Sequence, residues 1–172
     1  MIAPRTPELT TKLPAVGTTI FTVMSTLAAE KGAVNLGQGF PDFDCDPHLV
    51  QSVTDAMMKG LNQYPPMTGV PVLREAIAAK LKALHGPSGG REYNAATDIT
   101  ITAGATQAII TAILAVVRPG DEVIVLEPCY DSYVPNIELS GGTVVRVPLI
   151  PGTFRPDFDK IAAAITPKTR AI

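Results

Sequence analysis

In the first half of the chain the apolar positions recur at helical spacing, and in the second half they gather into short β-branched runs. Ile20, Val23, Met24 and Leu27 fall at i, i+3, i+4 and i+7 behind Thr18 and Thr19, which predicts a short amphipathic helix with a threonine cap. Asp46 followed by Pro47 has the form of an N-cap with proline at the first helical position, and Leu49, Val50, Val53 and Met57 then make one stripe that ends at Gly60. A further helix is expected over about 71–85, with Leu73, Ile77, Leu81 and Leu84 on one face and Gly86-Pro87 as its stop. The segments between are loops. Residues 1–16 carry Pro4, Pro7 and Pro14 without any period, 34–36 is a brief extended piece, 37–43 is punctuated by Gly37, Gly39 and Pro41, and 62–69 is stiffened by Pro65 and Pro66.

From Asp98 onward strands and helices alternate as in βαβ units. Strands are predicted over 99–102, 122–126 and 143–147, and 169–172 reads as the start of a fourth. Helices are predicted over 105–117, from the loop at Tyr130 to Leu139, and behind Asp157 with Phe158, Ile161, Ala162 and Ile165 at helical spacing. The class is therefore α/β: a peripheral N-terminal segment followed by the first part of a mixed or parallel sheet with helices on its faces.

Composition changes this picture in one respect. Of 172 residues 46% are hydrophobic and only 17% charged, against about 25% charged in an ordinary soluble domain. The chain has too little charge to cover itself, so part of its apolar surface is expected to face a partner or further protein. A formal net charge of −2 with no run of lysine or arginine argues against nucleic acid or a membrane surface as the client. The longest apolar stretch, 108–117, contains Thr111 and is about half the length of a membrane span. Cys45 and Cys129 are too few and too far apart for a disulfide framework or a zinc knuckle, and a reducing cytoplasm is the expected location. His48 and His85 stand alone on predicted helices, which supports neither a metal site nor a Ser-His-Asp triad.

The chemistry that remains is small-molecule binding. Gly104, Ala105, Thr106 and Gln107 join a predicted strand to a predicted helix, where backbone N–H groups, the helix dipole and small side chains suit a phosphate. An ordinary strand-to-helix turn capped by Thr106 has the same sequence. A dinucleotide site is the rival phosphate reading, because Glu127 follows the next strand at the distance of a ribose-binding carboxylate; of the G-x-G-x-x-G pattern, however, only Gly104 is present. Tyr130 falls beyond the C-terminal end of a strand, where open α/β sheets bind ligands, and its ring suits either a flat heteroaromatic group or simple packing. Tyr64 in the proline-stiffened loop is placed to reach a site built by another element or subunit, or to pack on its own prolines. The turn at Gly37-Gln38-Gly39 offers backbone N–H groups to a carboxylate, or serves only as a turn.

Several ordered motifs together resemble the class I/II, fold-type I pyridoxal-phosphate aminotransferases. They are Lys12-Leu13-Pro14 through Gly17-Thr18-Thr19-Ile20-Phe21; Asn35-Leu36-Gly37-Gln38-Gly39-Phe40-Pro41-Asp42-Phe43; Gln63-Tyr64-Pro65-Pro66-Met67-Thr68-Gly69; Thr102-Ala103-Gly104-Ala105-Thr106-Gln107-Ala108; Gly120-Asp121-Glu122-Val123; and Glu127-Pro128-Cys129-Tyr130-Asp131-Ser132-Tyr133. Within the family the bacterial methionine aminotransferases and the kynurenine aminotransferase-like branch look most similar.

The resemblance implies an N-terminal arm and small-domain segment over 1–45 and an incomplete large, mainly parallel cofactor domain over 46–172. It implies pyridoxal 5'-phosphate as cofactor, an L-amino acid and a 2-oxo acid as substrates, and a homodimeric parent enzyme. Gly104, Ala105, Thr106 and Gln107 would hold the cofactor phosphate and Tyr130 would stack on its ring. Tyr64 would reach the phosphate in the neighbouring subunit, and Gly39 with Phe40 would lie beside the substrate carboxylate. The family's Schiff-base lysine has no counterpart among Lys12, Lys31, Lys59, Lys80, Lys82, Lys160 and Lys168, its position being matched beyond Ile172. No catalytic residue is therefore assigned in this chain, and alone it is expected not to transaminate. A non-catalytic remnant that binds a partner, or a nucleotide-binding domain, are the alternatives.

Overall fold

The computed structural model describes residues 10–39 and 41–172. In chain order the elements are α1 (Ile20–Lys31), α2 (Pro47–Met58), α3 (Pro71–His85) with a 3-10 turn over Gly86–Ser88, α4 (Gly104–Val116), β1 (Glu122–Glu127), α5 (Tyr133–Leu139), β2 (Thr143–Pro148), α6 (Phe158–Ala164) and β3 (Thr169–Ala171). They fall into two compact units, one formed by the chain up to Gln38 together with Gly104–Ile172, the other by Gly39–Ala103.

The first unit is built on a three-stranded sheet in the order β2-β1-β3, with both pairings parallel. β1 reads Glu-Val-Ile-Val-Leu-Glu, and Val123, Ile124 and Val125 are all buried, the near-continuous apolar run expected of a strand covered on both faces. Val117, Val123, Val125 and Ile137 form the core, with Ile113, Cys129, Val144 and Ala171 packed against it. Gly142 lets α5 turn tightly into β2, since a Cβ there would sit 2.6 Å from Val117 Cγ1 and 3.1 Å from Ile137 Cγ2. Asp121 ties the turn before β1 to β3: its Oδ2 accepts from the Arg118 N–H at 3.0 Å and from Arg170 Nε at 3.1 Å. The Arg170 guanidinium first, and the Arg118 N–H second, hold the Asp121 carboxyl below the usual carboxylate range.

In the same unit α1 starts at the predicted cap, Thr19, whose hydroxyl accepts from the Thr22 N–H at 3.3 Å, and it ends at Gly32 in the left-handed region. Segment 34–36 lies outside the sheet and is held on α1 by side chains: Asn35 Nδ2 donates to Ser25 Oγ at 3.0 Å, and Asn35 Oδ1 accepts from the Gly37 N–H at 3.0 Å.

The second unit holds α2 and α3. Asp46 caps α2 by accepting from the His48 N–H at 2.8 Å, with Pro47 at the first helical position. Arg74 on α3 donates to the carbonyls of Ala95 and Ala96 at 3.0 and 3.2 Å, and the Ile101 N–H donates to Thr68 O at 3.1 Å. The α2 stripe of Leu49, Val50, Val53 and Met57 is exposed, so the amphipathic face that the sequence predicts is not covered by the chain.

The strand expected over 99–102 is corrected. Those residues belong to none of the three strands. A strand exists only as a pair, and the Ile101 N–H is instead taken by the Thr68 carbonyl, in the loop before α3. Elsewhere the differences are small: α4 begins at Gly104, and β1 and β2 each run one residue further, to Glu127 and Pro148.

Candidate active site

The site is read within the first unit, where the start of α4 and the loop leaving β1 come together. Thr106 Oγ1 lies 3.4 Å from the hydroxyl of Tyr130, and both residues line one open cleft of about 830 Å³. The loop carrying Tyr130 begins where β1 ends, at Glu127. There Pro128 cannot donate to a ladder, and the chain leaves the sheet. The Tyr130 and Tyr133 rings pack edge to face, with centroids 5.8 Å apart and planes at 82°, and Tyr130 is 43% exposed, so its ring is held by its neighbour while part stays open. The Tyr133 N–H donates to Tyr130 O at 3.2 Å, which closes the loop onto α5.

The rest of the cleft is lined from two directions. One wall is the segment 15–22 leading into α1, together with Gln38; the other carries Cys129, Asp131, Ser132 and Arg146. Arg146, from β2, is the one cationic side chain among the described residues lining it, and it forms an ion pair with Glu127. Burial, and then the nearby Glu127 carboxylate, push the Cys129 thiol up, so it stays protonated at neutral pH.

Of the residues singled out in the sequence, Thr106 and Tyr130 meet here. Gly104, Ala105 and Gln107 occupy the first turn of α4 with Thr106. Gly104 has φ +80°, a left-handed conformation natural to glycine, and a Cβ placed there would meet open space. Gly39 and Tyr64 belong to the second unit, where both are exposed and Tyr64 almost completely so, at 99%. Phe40 lies outside the described residues.

Sequence reasoning missed the lining role of Arg146 and of segment 15–22. It weighed Glu127 as a ribose ligand, and that is corrected: its carboxylate is engaged by Arg146. The parallel register carried the signal. Arg146 lies opposite Val125, so it shares a face with Glu127 two residues along β1. Among the described residues no helix is long and apolar enough to cross a membrane.

A cleft at the C-terminal end of a parallel strand, with a helix start, a hydroxyl and a partly open aromatic ring around it, is the arrangement in which α/β proteins hold phosphorylated heteroaromatic groups. The chain belongs to the aminotransferase class I and II family, whose model matches residues 31–172. It is 52% identical over 161 residues to the methionine aminotransferase of Escherichia coli K12, covering 94% of this chain and 41% of that protein. It is 46% identical over 163 residues to the probable N-succinyldiaminopimelate aminotransferase DapC of Mycobacterium tuberculosis, with 94% and 40% covered. Among solved structures, Escherichia coli YbdL, identified as having a methionine aminotransferase function, superposes with a TM-score of 0.87 at 51% identity over 97% of this chain and 42% of that one. The Mycobacterium tuberculosis N-succinyldiaminopimelate aminotransferase gives 0.84 at 45% identity, with 95% and 42% covered. The chain thus spans about two fifths of the length of the relatives it matches. The family uses pyridoxal 5'-phosphate.

Proposed function

We propose that this chain is the N-terminal part of a pyridoxal-phosphate aminotransferase that moves the amino group of an L-amino acid, methionine or an aromatic or kynurenine-type one, to a 2-oxo acid. The observation that carries the reading is the meeting of Thr106 with Tyr130 at the start of α4. When bound, the cofactor supplies an electron sink for bonds at the substrate's α-carbon. What these residues contribute is binding and orientation. The start of α4 would set the positive end of its helix dipole toward the cofactor phosphate and the Thr106 hydroxyl would donate to it, while Gly104 carries no side chain to keep it at a distance. The Tyr130 ring offers an apolar face to a flat ring, held in place by Tyr133. Gln38 and segment 15–22 close the cleft from the other side and narrow the space open to water.

Methionine as amino donor is supported by the Escherichia coli relative's name and its 52% identity. The apolar character of Val16, Ile20 and Phe21 in the cleft wall favours a thioether or aromatic side chain over a charged one. The same reading takes Tyr64, Gly39 and Phe40 as residues of the assembled homodimer's site, and the cytoplasm as its location. The test is titration of the full-length protein carrying this sequence with pyridoxal phosphate, followed by absorbance, for the wild type and Thr106→Val. Removal of the one hydroxyl costs about 1–2 kcal/mol of cofactor binding, a five- to thirtyfold rise in Kd. An unchanged Kd removes Thr106 from the site, and no binding by the wild type removes the reading.

A further inference from the structure

The Arg146–Glu127 pair has no part in the function proposed above, yet it sits at the root of the loop that carries Tyr130. Glu127 is the last residue of β1, and Tyr130 follows it by one short turn. Its backbone is already fixed from β2, because the Leu149 N–H donates to Glu127 O at 2.8 Å. Arg146 reaches the same residue through the side chain, from the face of the sheet that β1 and β2 share in register. The pair is half open to solvent, with side chains 50% and 34% exposed, and Arg146 also lines the cleft beside Tyr130 and Asp131. A core buried elsewhere does not need such a pair for its stability. The other ties of the loop hold Tyr130 through its hydroxyl, its ring and the Tyr133 N–H, and hold Ser132 through Asn136, so the pair adds a side-chain anchor at the loop's N-terminal root.

We propose that Arg146 is a positioning residue for Tyr130: by clamping Glu127 it fixes the loop 127–132 so that the Tyr130 ring faces the cleft. The proposal rests on the reading of the cleft as a pyridoxal-phosphate site for its functional meaning, though not for its geometry. The alternative role for a lone guanidinium in a cleft is direct contact with a ligand anion, which would leave Glu127 a bystander.

The experiment separates these with Arg146→Met, Glu127→Gln, the double variant and Arg146→Lys, in the full-length protein carrying this sequence. The first arm follows hydrogen–deuterium exchange of the cofactor-free protein by mass spectrometry. Either single variant is expected to speed exchange in 129–133 about two- to fivefold while exchange in Val123–Val125 stays as in the wild type, and the double variant is expected to add nothing. The second arm titrates pyridoxal phosphate and, separately, inorganic phosphate. Both single variants are expected to raise the Kd for pyridoxal phosphate by a similar factor, Arg146→Lys to recover part of the loss, and inorganic phosphate to be bound equally by all. Unchanged loop exchange in both single variants overturns the proposal. So does a Kd that rises for Arg146→Met but not for Glu127→Gln, which assigns Arg146 to the anion directly. Failure of the wild type to bind pyridoxal phosphate removes the aminotransferase reading alone, because the exchange arm still decides whether the clamp exists.

Discussion

Thr106 and Tyr130 stand 24 residues apart in the chain and meet hydroxyl to hydroxyl at 3.4 Å. The contact joins the first turn of α4 to the loop after β1, so two elements that bury different parts of the core present their polar tips to one space. The ring and the hydroxyl of Tyr130 are separable in this arrangement. Tyr130→Phe keeps the ring and is expected to raise the Kd for pyridoxal phosphate less than about threefold, whereas Tyr130→Ala removes the stacking face and is expected to raise it about tenfold. Equal effects in the two titrations would place the binding in the hydroxyl instead.

Gly69 is expected to reject any side chain. Its φ is +97°, and a Cβ there would run into the side chain of Ile101, 2.7 Å from that residue's own Cβ. Because Ile101 is also held by the Thr68 carbonyl, it has little room to retreat. Gly69→Ala should lower the stability of its unit by about 2–4 kcal/mol, from steric overlap and left-handed strain together. Urea denaturation read on that unit checks this.

Burial predicts a sharp contrast between two apolar residues of the other unit. Ile137 is 1% exposed and part of the core, whereas Phe158 is 75% exposed. Ile137→Ala should cost about 2–5 kcal/mol and Phe158→Ala within about 0.5 kcal/mol, as thermal or urea unfolding of the purified variants would show.

Asp121 sets an acid limit on the β1–β3 junction. Its folded pKa lies below the ordinary value because Arg170 and the Arg118 N–H favour the ionised form. Ionised Asp121 therefore stabilises the fold at pH above about 3.9, and that contribution is lost as pH falls from there through the lowered value. Asp121→Asn should be less stable than the wild type at pH 7, with the gap closing as the pH approaches about 2. Unfolding midpoints measured across this range test it, and a gap that stays constant would detach Asp121 from the acid response.

Local chemistry was legible where it acts within a few residues. The Thr19 and Asp46 caps, Pro47, the start of α3 at Pro71 and the valine run of β1 were all readable, because capping, proline geometry and burial on both faces leave marks at fixed offsets. Pairing was not legible. Residues 99–102 have strand composition, but the Ile101 N–H goes to the Thr68 carbonyl and not to a strand neighbour, and composition says nothing about neighbours. The site was half visible for the same reason. Thr106 and Tyr130 stood out singly through their positions beside a helix and a strand, while Arg146 emerges only once the register sets it diagonally across from Glu127.

The tight corner at Gly142 has a consequence for how this region can vary between related sequences. The two core residues that a Cβ there would crowd, Val117 and Ile137, come from the end of α4 and from α5. Bulk added at 142 has to be removed at 117 or 137, so a sequence that carries a side chain at 142 should carry a smaller residue at one of those two positions.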